Sequence, residues 1–132
     1  MRVFLDTNVL VSAFAGRGIC ADLFRYVLAE HDLLVGEVVL IELERVLLGR
    51  IKVPQQTIVD IERLLRDQHL VQKPSRHLSL GLRDVDDEWI VASAVAGPAE
   101  ALVTGDTDLL DEKARMPVPV YSPREFWQHV RG

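Results

Sequence analysis

The amino-acid sequence predicts an α/β fold, a three-layer α/β/α sandwich built around a central parallel sheet of five strands. Short apolar, β-prone segments alternate with longer segments whose apolar residues recur at helical spacing. Consecutive strands are separated by stretches long enough for a crossover connection, which parallel pairing requires. The chain has 132 residues, of which 48% are hydrophobic and 27% charged, and this suits one compact domain. We therefore expect a single domain over residues 1–132.

Five short apolar segments predict the strands of this sheet. Pro119 lies inside the last of them. Because proline cannot donate a hydrogen bond to a neighbouring strand, that strand is expected at an edge of the sheet. The predicted strands cover residues 3–5, 33–35, 70–71, 101–103 and 118–120.

The intervening segments carry the patterns of helices. In the third helix, Ile58, Ile61, Leu64 and Leu65 are predicted to face inward. The fourth is almost entirely apolar after its first acidic residues, so it is predicted to be buried. The predicted helices cover residues 19–31, 37–48, 55–68 and 87–96, and a last helix begins with the capping box at residues 122–125.

The net charge of −5, from 15 basic and 20 acidic residues, argues at first against nucleic-acid binding, which needs a positive surface. The acidity is local, however. Nine acidic residues and no Lys or Arg lie between positions 84 and 112, and the rest of the chain carries a net charge of +4. The charge distribution therefore predicts an acidic site on a chain that is otherwise mildly basic.

Cys20 is the single cysteine, so no internal disulfide can form, and a reducing compartment is expected. The first residues do not resemble a signal peptide, and no apolar run of about 20 residues is present to span a membrane. We expect a cytoplasmic protein that does not enter the membrane.

Three acidic residues lie where a parallel α/β sheet places its ligand sites. Asp6 directly follows the first predicted strand, and Asp106 comes shortly after the fourth. Sites in such sheets form outside the carboxyl ends of the strands, so these side chains are expected to lie near each other. Asp87 stands at the start of the buried helix. The sequence thus predicts an acidic cluster at one edge of the sheet.

Glu42 lies inside the second predicted helix and shares a face with the apolar Val39 and Val46, three and four residues away. It is therefore expected to point toward the core side. Glu44 is turned by about 200° from it and is expected in solvent. An inward glutamate is unfavourable unless it has a partner, so Glu42 is a further candidate for the cluster.

Each acid also has an ordinary structural explanation. Asp6 is of a type that caps helices, and Asp87 suits the N-terminus of a helix. Asp106 and Asp108 are common turn residues, and a neighbouring arginine would neutralise Glu42. Four carboxylates converging on one cleft would repel each other, however, and a bound divalent cation relieves that repulsion. Mg²⁺ and Mn²⁺ prefer such oxygens, and the sequence lacks the Cys/His spacing of a zinc site.

Several other enzyme classes are disfavoured by residue type. An aspartyl-phosphate phosphatase needs a second aspartate at position 8, where the chain has Asn8. The sequence contains neither the Gly-rich loop ending in Lys-Ser/Thr of a phosphate-loop nucleotidase nor the G-x-S-x-G of a serine hydrolase. The histidines form no motif. They are His31, His69, His77 and His129.

Four segments in this order resemble the PIN domain family. They are DTN at 6–8, IEL at 41–43, DVDD at 84–87 and VTGDTDLL at 103–110. Within the family, the chain is most similar to the VapC-like toxin components of bacterial toxin–antitoxin systems. The resemblance covers essentially the whole chain. It implies a PIN-like fold and a metal-dependent endoribonuclease that cleaves single-stranded or structured RNA with Mg²⁺ or Mn²⁺.

The resemblance also implies roles for individual residues. The catalytic, metal-binding quartet would be Asp6, Glu42, Asp87 and Asp106, with Asp108 as a fifth metal-binding acid. Asn8 and Thr104 match polar residues that orient these carboxylates. Asp84 and Asp86 are expected to cap the turn or to supply nearby charge. One position departs from the family, since Gly36 stands where relatives often have a serine that caps the helix of Glu42; glycine caps almost as well.

The implied partners are RNA, a cognate antitoxin protein and a second copy of the chain in a homodimer. Arg17 and Arg83 are candidates for phosphate contacts, with a solvated surface role as the alternative. The helices at 19–31 and 55–68 offer apolar faces for docking, although core packing also explains them. Two other functions stay open: a weak or inactive metal-binding interaction module, and a structure-specific DNA nuclease, which the short chain disfavours.

Overall fold

A computed structural model of the protein describes residues 1–16, 18–49 and 53–131. The strands are β1 (Arg2–Leu5), β2 (Asp32–Gly36), β3 (His69–Val71), β4 (Ala101–Val103) and β5 (Val120–Tyr121). The helices are α1 (Thr7–Phe14), α2 (Ile19–Glu30), α3 (Glu37–Gly49), α4 (Gln55–Arg66), α5 (Val85–Ala96), α6 (Thr107–Asp111) and α7 (Pro123–Arg131), with a 3₁₀ turn at Lys113–Arg115.

The five strands form one parallel sheet in the order β3-β2-β1-β4-β5, and helices flank it, which confirms the predicted three-layer α/β/α sandwich. The central strand β1 pairs with β2 on one side and with β4 on the other. The strand order therefore reverses beside β1, and a crevice opens there at the carboxyl ends of the strands. Leu5 lies opposite Val103 in the register of β1 and β4, so the loops that follow both strands begin at the same level.

The two central strands are buried on both faces. Val3, Phe4 and Leu5 of β1 are at most 1% exposed, and every residue of β4 is fully buried. Successive residues of a strand point to opposite faces, so complete burial means that helices cover the sheet on both sides. The polar residues that directly follow these strands are consequently held at the end of a rigid apolar core.

The structure adjusts several predicted boundaries. The strand predicted at 118–120 is β5, which begins at Val120, although the carbonyl of Pro119 still accepts a hydrogen bond from the Leu102 N–H at 2.8 Å. It lies at an edge of the sheet, as the proline indicates. Leu64 was predicted to face inward, and this is wrong. It is 38% exposed, because Ile61 and the fully buried Leu65 define the inward face of α4 and Leu64 lies beside it.

Among the described residues, no helix is both long and apolar enough to cross a membrane. The segment between the helices predicted at 37–48 and 55–68 falls partly on residues 50–52, which lie outside the described residues.

The glycine that departs from the family pattern has a steric cause in this chain. Gly36 is the buried last residue of β2, and a Cβ added to it would lie 2.7 Å from Cζ of Phe4. Phe4 is itself fully buried in β1, so its ring cannot swing out to make room. A serine at position 36 would therefore collide with the core, and glycine is the residue that the Phe4 ring allows.

We expect Gly36→Ala to lower the free energy of unfolding by about 1–3 kcal/mol, the usual effect of overpacking a filled core. Urea denaturation followed by circular dichroism would measure this. Gly49→Ala is the control, since a Cβ at Gly49 meets no atom within 4 Å and no loss of stability is expected. Adding Phe4→Leu should restore part of the stability lost in Gly36→Ala. A Gly36→Ala protein as stable as the wild type would contradict this explanation.

Candidate metal centre at the ends of β1 and β4

Asp6 is both a helix cap and a member of the acidic site. Its backbone N–H donates to the Val103 carbonyl at 3.0 Å, which extends the pairing of β1 with β4 by one residue. Its carboxylate accepts from the Thr7 N–H at 2.7 Å, as the N-cap of α1, and from the Thr104 hydroxyl at 2.8 Å. The side chain is buried, with 5% exposed. The capping explanation for Asp6 is therefore confirmed, and it does not exclude a role for Asp6 in the acidic site.

The turn after β4 is tied to the turn after β1 by two side chains. The fully buried Thr104 donates its hydroxyl proton to Asp6, and the same oxygen accepts from the Asp106 N–H at 3.0 Å. Asn8 Oδ1 accepts from the Gly105 N–H at 2.9 Å. Thr104 thus connects two of the candidate ligands, and Asn8 fixes the turn between them. These are the contacts that an orienting role requires.

The start of α5 provides the third acid. Asp84 is the N-cap of the helix, and its carboxylate accepts from the Asp86 N–H at 2.9 Å. Asp87 is buried one residue further along α5, with 9% exposed. Asp84 and Asp86 are exposed, and both line a cavity that Asp87 also lines. The capping role expected of Asp84 is the one that the structure shows.

Glu42 is half-buried on α3, next to the fully buried Leu43, whereas Glu44 is exposed, as the helical spacing indicates. A cavity of about 490 Å³ opens beside Glu42 at the carboxyl ends of β1 and β4. The structure brings the predicted quartet together there. The residues that line this cavity, called the acidic pocket below, include Asp6, Asn8, Glu42, Arg45, Asp84, Asp86, Asp87 and Asp106.

Asp87, Asp106 and Asp108 form the tightest group, with one carboxylate oxygen from each lying within 4.8 Å of the others. Asp106 caps α6 by accepting from the Asp108 N–H at 2.9 Å, and this holds Asp108 close to it. Asp6, which directly follows β1, and Glu42 on α3 line the acidic pocket together with Asp87 and Asp106, whereas Asp108 lines a smaller neighbouring depression. The donor set consists of carboxylate oxygens, which is the chemistry that hard divalent cations prefer.

The electrostatics of the acidic pocket are those of a cation site. Burial, followed by the charge and hydrogen bonding of Asp106, raises the pKa of Asp87 to about 7. Burial likewise raises the pKa of Asp6 to about 6, although hydrogen bonds from Thr104 and Thr7 oppose the shift. The pKa of Glu42 is also raised, by burial and by the charge of Asp86. At neutral pH these carboxylates repel one another, and a bound cation would remove that repulsion.

Glu88 is a buried acid that the sequence did not mark for any role. Burial opposes its ionisation, but the N–H groups of Leu80 and Leu82, at 2.8 and 3.2 Å, keep the pKa of Glu88 below its ordinary value. His77 Nδ1 lies 3.1 Å from the same carboxylate. Glu88 therefore anchors the loop before α5 rather than joining the acidic pocket. Its only sequence signal was a charge next to Asp87 on an otherwise apolar helix.

The two arginines proposed for phosphate contacts differ in what the structure shows. Arg83 is exposed, and its Nη1 lies 4.0 Å from a carboxylate oxygen of Asp108. It is therefore near the group formed by Asp87, Asp106 and Asp108. Arg17 lies outside the described residues.

A comparison with protein families matches residues 2–108 to the PIN domain family. The chain belongs to the PIN domain family. The matched residues contain all five acids of the candidate site. The fold of this PIN domain is similar to that of a chain in the crystal structure of VapBC2 from Rickettsia felis bound to a DNA fragment from their promoter, with a TM-score of 0.67. The two chains are 18% identical, and the match covers 92% of this chain and 98% of the other. No curated protein matches the sequence significantly.

The hydrogen bonds of Thr104 lead us to propose that it positions Asp6 and Asp106 in the acidic pocket of this PIN domain. We expect Thr104→Val to weaken divalent-cation binding about 10- to 100-fold, the usual effect of removing a group that orients metal ligands. Thr104→Ser keeps the hydroxyl and should bind the cation almost as the wild type does. Calorimetric titration with Mn²⁺ measures both affinities. Equal affinities for Thr104→Val and the wild type would show that the hydroxyl does not position Asp6 and Asp106.

The raised pKa of Asp87 predicts how the stability of the metal-free protein depends on pH. Between pH 4 and 7 the folded chain binds more protons at Asp87 than the unfolded chain does, so stability should fall as pH rises through this range. The destabilisation is complete above the folded pKa of about 7 and absent below the ordinary value of 3.8. Asp87→Asn should reduce this slope. Thermal unfolding in EDTA from pH 4.5 to 7.5 tests it, and parallel curves for the two proteins would contradict it.

Proposed function

We propose that this PIN domain is a metal-dependent endoribonuclease that uses Mg²⁺ or Mn²⁺ to cleave phosphodiester bonds in single-stranded or structured RNA. The observation that supports this function best is the acidic pocket, in which Asp6, Glu42, Asp87 and Asp106 converge at the carboxyl ends of two parallel strands. Oxygen ligands without Cys or His favour Mg²⁺ or Mn²⁺ over zinc. The single domain spans residues 1–132 in this proposal.

Five acidic residues would hold the cation in this proposal. Asp87, Asp106 and Asp108 offer three oxygens within 4.8 Å of one another, and Asp6 and Glu42 complete the acidic pocket. When bound, the ion would polarise the phosphoryl group and lower the pKa of a water. Thr104 fixes the Asp6 carboxylate by donating to its Oδ2. With its raised pKa, the Asp87 carboxyl would release its proton as the cation binds.

The described residues that line the acidic pocket include no Ser, Thr, Cys, Lys or His. The pocket therefore offers no side chain of the kind that forms covalent intermediates by hydroxyl, thiol or amine attack. In this proposal the carboxylates hold the cation and are therefore not free to attack, so water is the attacking group. This supports direct hydrolysis of the phosphodiester bond.

The biological role in this proposal is that of a cytoplasmic toxin held by a cognate antitoxin. The similarity in fold to a chain of the VapBC2 complex supports it. Apolar side chains exposed on α4 and on the edge strand β3 offer surface for the antitoxin or for a homodimer. They are Val59, Leu64 and Leu70, each 38–39% exposed.

We expect the wild-type protein to cleave an RNA oligonucleotide in Mg²⁺ or Mn²⁺ and to lose this activity in EDTA. Asp6→Asn and Asp87→Asn each remove a carboxylate from the acidic pocket. They should lower the rate more than about 100-fold, beyond the usual effect of groups outside the ligand set. Asp22→Asn is the control, since Asp22 is an exposed acid on α2 paired with Arg25. Gel analysis of labelled RNA measures the rates.

Cleavage that persists in EDTA, or full activity of Asp6→Asn, would overturn the metal-dependent mechanism. A DNA oligonucleotide of the same sequence should stay intact, and equal cleavage of it would favour the DNA nuclease instead.

In cells, expression of the wild type should arrest growth and Asp6→Asn should not. Active RNA cleavage in vitro without growth arrest would reject the toxin role and leave the nuclease.

A further inference from the structure

A second cleft opens next to the acidic pocket, between α3 and α5. It has a volume of about 220 Å³ and is called the Trp89 cleft below. Four residues line both cavities, so a molecule that lies in one reaches directly into the other: Glu42, Arg45, Asp86 and Ile90. The remaining lining residues belong to the Trp89 cleft alone: Val38, Ile41, Lys73 and Trp89.

The Trp89 cleft combines an aromatic and apolar wall with two cations. Ile41 is 53% exposed, so an apolar contact surface is open to solvent there. The ammonium of Lys73 lies 4.5 Å from the ring centroid of Trp89, and Arg45 lies on the side of the acidic pocket. Aromatic rings flanked by Lys and Arg are the arrangement that binds single-stranded nucleic acid, with the ring against a base and the cations on phosphates.

The parts of this cleft are held in place by the fold. The Lys73 N–H donates to Glu37 Oε1 at 3.1 Å, which ties the segment after β3 to the start of α3. The rings of His77 and Trp89 lie 5.3 Å apart, and His77 contacts the buried Glu88. The Lys73 backbone and the indole are therefore anchored on neighbouring segments before any ligand arrives. The Lys73 side chain lies over the ring, so its ammonium would move from the ring to a phosphate when a base packs against Trp89.

The region beside α6, close to the acidic pocket, carries a net negative charge, which disfavours a polyanion. A smaller depression there contains Asp108, Asp111 and Glu112, with Arg83 as its basic residue. Glu112 is paired with Arg115 at 2.6 Å, which leaves Asp108 and Asp111 with Arg83, whereas the Trp89 cleft balances its two acids with two cations. A strand that leaves the acidic pocket is therefore directed over the Trp89 cleft.

We propose that the Trp89 cleft is a nucleotide subsite, in which the base next to the scissile phosphate packs against Trp89 and Ile41 while Lys73 and Arg45 contact the backbone. This rests on the proposed function, in which RNA is the substrate. At about 220 Å³ the cleft is smaller than the 300–1,000 Å³ typical of sites for drug-sized ligands, which suits a single base.

Intrinsic fluorescence tests base binding directly. The chain has two tryptophans, and Trp127→Phe leaves Trp89 as the only reporter. In a protein that also carries Asp6→Asn to prevent cleavage, an RNA trinucleotide should change the emission of Trp89. The same backbone without bases should not. In the reverse variant, Trp89→Phe, the emission of Trp127 should be insensitive to RNA.

Kinetics on the otherwise wild-type protein test the cations. Lys73→Ala should raise KM for RNA about 10-fold with kcat within about twofold, because Lys73 binds the strand and does not touch the reacting phosphate. Arg131→Ala is a matched control, since Arg131 lies over the other tryptophan, 5.4 Å from the ring centroid of Trp127, and should leave both constants unchanged. Trp89→Leu should raise KM, and Trp89→Phe should restore it toward the wild-type value.

The outcomes separate this proposal from the proposed function. If the wild type cleaves RNA but Lys73→Ala and Trp89→Leu keep the wild-type KM, the subsite is overturned and the nuclease stands. If RNA is cleaved but the trinucleotide leaves the Trp89 emission unchanged, the cleft serves another occupant such as a protein segment, and the subsite is again overturned. If the wild type cleaves no RNA in Mg²⁺ or Mn²⁺, the proposed function itself fails.

Discussion

The acidic pocket depends on one constraint: carboxylates that repel each other must be held together by a rigid, well-packed apolar core. The register of β1 and β4 places Leu5 opposite Val103, so Asp6 and Thr104 leave the sheet side by side. The strands beneath them are buried on both faces. The Thr104 hydroxyl then joins the Asp6 carboxylate to the Asp106 backbone. Neither loop can relax away from the other without breaking these contacts, so the apolar core sustains the repulsion.

The sequence predicted the parts of this arrangement that follow from local rules. A parallel sheet follows from the alternation of strands and helices, and it places Asp6 and Asp106 at one edge. Helical spacing then separates Glu42, which lines the acidic pocket, from Glu44, which lies in solvent. Val39, three residues before Glu42 on the same face of the helix, is fully buried, which shows why the pattern was informative. These inferences needed only the period of each element and the direction of its strands.

The parts that sequence reasoning missed depend on contacts between distant segments. Glu88, which the sequence did not mark for any role, lies next to the predicted Asp87 on α5, and both are buried. A turn of about 100° between them sends Asp87 into the acidic pocket and Glu88 toward the N–H groups of Leu80 and Leu82. Helical periodicity does not predict which of the two acids enters the acidic pocket. The loop whose N–H groups bind Glu88 has no regular sequence pattern, so its position could not be predicted.

Gly36 is a similar case, since its requirement for glycine lies in the ring of Phe4 on the neighbouring strand. The family pattern marked position 36 as unusual, but the explanation needed the pairing of β1 with β2. The edges of the sheet show the same limit. The late start of the edge strand β5 depends on which neighbours are present, as does the exposure of Leu64 on α4, and a single strand or helix does not encode its neighbours.

The charge of the chain links its stability to its chemistry. A net charge of −5 spread evenly would repel RNA, but here the acids are concentrated where burial raises the pKa of Asp87 to about 7 and of Asp6 to about 6. The repulsion that destabilises the metal-free pocket is the same free energy that a divalent cation would release on binding. Once a cation neutralises the pocket, the uneven charge of its two flanks would determine the path of the strand. In the proposed function, the acidity of the sequence would be the source of metal affinity, and the cations around Trp89 would guide the RNA strand to the acidic pocket.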